Sequence, residues 1–159
     1  MIGAARRMSQ LDDAIARAAQ LPLLDAAYGL WKEKWTLDRA ERPPRPAPQA
    51  GANLRDPDGI KRLASQAFVQ VSHERATAHE GPTFDRLKRA HPDAADDDLR
   101  TAIKAAVKLE GDCLRHFTST GANYFQDVRH AVALARQDNP GFRQETYRQA
   151  EHDLAVTMR

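Results

Sequence analysis

Apolar residues along this chain recur every three or four positions, and no stretch holds a convincing run of strict alternation. That spacing predicts helices throughout, because a 3.6-residue period keeps apolar side chains on one face. Met8, Leu11, Ile15 and Ala18 form the first stripe, and Ser9 with Asp12 three residues later predicts a capped helix start. Leu21-Pro22 interrupts it, and Leu24, Ala27, Tyr28, Trp31 and Trp35 make a second, aromatic stripe. Residues 1–41 therefore read as a helical hairpin.

Residues 42–58, RPPRPAPQAGANLRDPD, hold five of the nine Pro. Pro at that density blocks helical hydrogen bonding, so the segment reads as a linker or a surface strap. Asp56-Pro57 then predicts a cap with Pro at the first helical position, followed by the cleanest amphipathic run: Ile60, Leu63, Ala64, Ala67, Phe68 and Val71. Gly81-Pro82 ends it. Thr83 starts a short helix with Phe84 and Leu87 inward, and His91-Pro92 closes that one. Asp93 is a candidate cap for the next helix, whose first turn carries Asp96, Asp97 and Asp98, where carboxylates complement the helix dipole. Leu99, Ile103, Ala106, Val107, Leu114 and Phe117 are its predicted inner face. After TSTGAN come a helix marked by Phe125, Val128, Val132 and Ala135, a second cap-plus-Pro signature at Asn139-Pro140, and a last helix presenting Phe142, Ala150, Leu154 and Met158. The expected architecture is all-α: an N-terminal hairpin (1–41), a Pro-rich linker (42–58) and a bundle of four to five helices (59–159).

Composition agrees, since Val and Ile are few and unbranched helix formers are abundant. No window approaches the roughly 18 consecutive apolar residues of a membrane span, and MIGAARRMSQLDD has no apolar core after its two Arg, so a cytoplasmic protein without membrane contact is expected. A single Cys excludes an internal disulfide framework and suits a reducing compartment.

Candidate chemistry is mostly excluded. His73-Glu74 suggests a zinc-protease helix, but His73 and His79 stand six residues apart, about 240° around a helix, and diverge. A zinc site from His73, His79, His91 and His116 would need folding to assemble it. Cys113 lies near Lys108 and His116, yet no oxyanion loop accompanies it, and neither GANL nor TSTGAN has the glycines of a phosphate loop. No enzyme, no cofactor and no metal are expected.

Charge points elsewhere. The formal net charge is only +2, but residues 59–92 hold six Lys/Arg against three acids, and residues 99–118 hold four against two. On RTAIKAAVKLEGDCLRHF, Arg100, Lys104, Lys108 and Arg115 fall within a sector about 80° wide and run for about 22 Å, outside the apolar face. Neither Glu110 nor Asp112 is expected to interrupt that stripe after the first turn. It could track the phosphates of RNA or single-stranded DNA, widened by Lys61, Arg62 and Arg75 on one neighbouring helix and by Arg86, Lys88 and Arg89 on another; it is equally the solvated side of an amphipathic helix. Tyr28, Trp31 and Trp35, beside Lys32, Lys34 and Arg39, could stack bases and contact phosphates, but a ridge at helical spacing reads first as core packing or as a protein interface.

A small, all-helical chain with one Cys, a modest basic surface and no catalytic motif resembles the small subunit of class 1 CRISPR ribonucleoprotein complexes, the type IV kind included. The resemblance is one of architecture and rests on no diagnostic motif. It implies a non-catalytic subunit, stacked in several copies along other protein subunits, whose basic face guides a nucleic acid strand. The alternative is a helical interaction or regulatory module that docks a partner, or a further copy of itself, through the Trp31/Trp35 hairpin without touching nucleic acid.

Overall fold

The computed structural model describes residues 2–41, Arg75 and 81–158. Among them are seven helices and no strand: α1 (Ile2–Ala19), α2 (Leu23–Lys32), α3 (Lys34–Glu41), α4 (Pro82–Ala90), α5 (Asp96–His116), α6 (Tyr124–Asp138) and α7 (Gln144–Thr157). The all-α class is as expected. The linker, the Asp56-Pro57 cap and the stripe from Ile60 to Val71 lie outside the described residues, as do Lys61, Arg62, His73 and His79.

The helices share one core. Its axis is α2 against α5; α1, α3 and α4 close around one side of that pair, and α6 and α7 cover the rest of α5. Residues 1–41 are thus no separate hairpin, because ten residues of α2 bury Ala26, Ala27, Tyr28, Leu30 and Trp31 together with Leu99, Ile103, Ala106 and Leu109 of α5. Helices this short are marginal alone and are stabilised by such packing.

Several boundaries differ from expectation for local reasons. Ser9 lies within α1 and does not open it, since the helix already starts at Ile2 through a stretch of Ala and Arg that favours helix. Asp93 lies in the turn after Pro92; α5 begins three residues later, with the three Asp in its first turn as expected. Asn139 ends α6 instead of opening α7, which starts at Gln144 after Gly141 turns the chain at φ 102°. Asn123 does cap α6, its side chain accepting from the Gln126 N–H at 3.2 Å. The inner face of α5 is rotated from the predicted one: Ala102, Leu109 and Cys113 are buried with Leu99, Ile103 and Ala106, whereas Leu114 is exposed.

Candidate interaction surfaces

The aromatic stripe divides at the end of α2. The helix breaks at Glu33, and α3 turns Leu37 inward in place of Trp35, which is left half-exposed. Tyr28 and Trp31 belong to the core of their own chain, so the interface reading does not hold for them. Trp31 is 0% exposed, with the buried Lys34 ammonium 3.9 Å over its ring and its indole N–H donating to Glu110 Oε2 at 2.7 Å. Glu110, an acid on the inner side of α5, also accepts from Lys32 at 2.9 Å and from Arg75 at 3.2 Å. Burial alone would raise its pKa, but Lys32, the Trp31 indole and Lys34 outweigh that and hold it below the ordinary value. A folded pKa below the unfolded one contributes stability that is present above the ordinary glutamate range and lost as pH falls through the folded value. The melting temperature is therefore expected to drop as pH falls through and below the ordinary glutamate range, and Glu110→Gln should lower it at neutral pH and flatten that drop; circular dichroism melts over a pH series check both.

The basic stripe is present on α5 but largely compensated. Lys108 donates to Asp112 Oδ2 at 2.7 Å, to Asn139 Oδ1 at 3.0 Å and to the Asp138 carbonyl at 3.1 Å. Arg115 pairs with Asp112 at 3.1 Å and with Asp138 at 3.2 Å. The expectation of an uninterrupted stripe is thus wrong: Asp112 stands four residues after Lys108 and three before Arg115, which makes it a helical neighbour of both. Arg100 pairs with Asp97 at 2.9 Å and leans over Phe84 of α4. Lys104 is exposed and has no ion pair among the described residues.

The described flanking cations, Arg75, Arg86, Lys88 and Arg89, do not widen the stripe into one patch. Arg86 is 1% exposed, its guanidinium held by Asp38 at 2.6 Å and Glu41 at 2.7 Å. Arg89 faces α1 through Asp12, Lys88 binds the Ala94 carbonyl and Asp96, and Arg75 is drawn to Glu110. Arg89 thus points toward α1 while Lys108 and Arg115 point toward the end of α6.

Residues read as nucleophile or ligands are occupied otherwise. Cys113 is buried, and that burial pushes its thiol up to about 12, far from a reactive thiolate. His91 contacts the Ala18 carbonyl at 3.1 Å and His116 contacts Asp138 at 2.8 Å. No group of His, Cys, Asp and Glu among the described residues is arranged to hold a metal ion.

Two features were missed in the sequence. Where α5 ends, α6 begins and α7 ends, the helices converge: Tyr124 donates to the Ala155 carbonyl at 2.6 Å, and Phe117, Tyr124 and Phe125 stack edge to face. Around them Leu114, Phe125 (54%), Val156 (61%) and Met158 lie exposed, although Phe125, Leu114 and Met158 had been expected inward. The helical period misplaces such residues because the first and last turns overhang the neighbouring helix. The second feature is a groove between α2 and α7 flanked by Asp25 and Asp153. Its one signal was Asp25 inside the apolar run LLDAAYGLWK. Compared with known protein families, curated proteins and solved structures, the chain matches none.

Proposed function

We propose that this chain is a non-catalytic helical subunit of a larger assembly, held to another protein chain by the apolar end where α5, α6 and α7 meet. The observation that supports it is that Leu114, Phe125, Val156 and Met158 are exposed on helix ends that the Tyr124–Ala155 hydrogen bond joins and where Leu114 and Leu154 line one pocket. Single exposed apolar residues are ordinary; a contiguous group rimmed by polar residues marks an interaction surface. No helix among the described residues is long and apolar enough to cross a membrane. The resemblance to a CRISPR small subunit suggests such an assembly, a stack of protein subunits on a guide strand.

The test is the size of the natively extracted complex on gel filtration. The wild-type chain is expected well above its 17.8 kDa mass, and Phe125→Asp combined with Met158→Asp should return it to monomer with unchanged helicity. Unchanged size in the double variant, or a monomeric wild type, overturns the reading.

One observation favours a second reading, contact with a nucleic acid backbone: Lys104 stands exposed midway along α5, with no ion pair among the described residues. Because Lys104 is exposed and makes no ion pair among the described residues, Lys104→Glu probes binding with little effect on the fold. It should weaken affinity for unstructured RNA or single-stranded DNA of any sequence, and reduce the slope of log affinity against log salt by about 0.7, the share of one phosphate contact. Filter binding over a salt series measures both, and an unchanged affinity excludes this role for α5.

A further inference from the structure

We propose that the groove between α2 and α7 is a binding site for a linear aliphatic polyamine, an unbranched chain with an ammonium group at each end. Two carboxylates line it, and neither has a cationic partner among the described residues. Asp25 is 3% exposed; its Oδ1 accepts from the Arg143 main-chain N–H at 2.8 Å and from the Thr146 hydroxyl, and its Oδ2 has no hydrogen-bond partner. Asp153 accepts only from neutral donors, the Tyr28 hydroxyl at 3.2 Å and the Gln149 amide at 2.8 Å. The cations nearby are committed: Lys32 to Glu110, Arg143 to Glu145 at 3.4 Å, and Arg17 to Glu33 at 3.1 Å. A buried carboxylate with an unpaired oxygen carries an unmet desolvation cost, which an incoming ammonium group relieves.

The spacing selects the ligand. Asp25 meets α7 at Thr146, and Asp153 follows seven residues later, about 10 Å along the helix axis. That suits the terminal ammonium groups of spermidine better than those of the shorter putrescine. Between the carboxylates the wall is formed by the Tyr28 ring and by Gly29, where an added Cβ would meet no atom within 4 Å. The methylene segments would lie along the Tyr28 ring at Gly29, in a stretch that Lys32 and Glu33 also line.

Titration calorimetry of the full chain tests it, with spermidine and putrescine as probes. Spermidine should bind more tightly than putrescine. Asp153→Asn, which keeps an acceptor for Tyr28, should weaken spermidine about tenfold, the loss of one charge-assisted contact. Gly29→Leu, placed in open space and at a position where Leu favours helix, should abolish binding while helicity stays unchanged. Absence of binding to the wild-type chain overturns the proposal. So does a spermidine affinity that either substitution leaves as it was.

Discussion

Trp31→Ala is expected to destabilise the fold by about 3–5 kcal/mol, the cost of removing a fully buried large aromatic. Trp31 lies between α2 and α5, the central pair of the bundle, with no exposed surface of its own. Its removal also takes the indole N–H from Glu110, an acid kept in its charged form by Lys32, by that bond and by Lys34. Trp31→Phe separates the two effects: the ring volume is mostly kept, so the loss should shrink to about 1–2 kcal/mol, the cost of leaving one polar group short of its partner. Since domains of this size are stable by only about 5–15 kcal/mol, the alanine variant should melt about 10–15 °C lower. Trp35→Ala should change stability by no more than about 0.5 kcal/mol, because that side chain is half-exposed. Urea unfolding followed by circular dichroism measures all three variants, and equal effects at Trp31 and Trp35 would contradict the burial described.

Arg86→Ala should cost about 3 kcal/mol, because it breaks a buried ion pair at the member that cannot reach water. Arg86 links α4 to α3, and its partners Asp38 and Glu41 lie nearer the surface. Without the guanidinium, two carboxylates on successive turns of α3 face each other across a cavity, one Nη of the wild-type Arg86 already having no partner. Arg86→Met discriminates charge from packing. It refills much of the volume but, like Ala, leaves Asp38 and Glu41 without their cation, so it recovers only the packing share of the loss. A loss below about 1 kcal/mol for Met alongside about 3 kcal/mol for Ala assigns the role of Arg86 chiefly to filling space. Equal losses assign it to the ion pairs, and the pairs would then also hold α3 against α4.

The helical class follows from the sequence because amphipathic period and punctuation are local. Pro22 and Pro82, read as breaks in the helical pattern, stand at helix starts in the structure, and the Asp96–Asp98 turn opens its helix as read. Such features are properties of a few consecutive residues and need no tertiary partner. Boundaries depending on competition between capping groups, as at Ser9, Asp93 and Asn139, were not legible, since several Ser, Asp and Asn are equally able to cap and packing selects among them.

What a charged residue does was not legible at all. Arg86 and Arg89 are three residues apart on one helix, yet one is sealed against α3 and the other reaches across to α1. Lys104 and Lys108 are separated by a single turn, yet one is free of ion pairs among the described residues while the other holds Asp112, Asn139 and the end of α6. Asp25 and Asp153 are 128 residues apart in the chain and share a groove because α2 and α7 pack together. A hydrophobic face reveals itself by repetition along the chain. An ion pair or a groove is a meeting between segments distant in sequence, formed only once the core has brought their helices together.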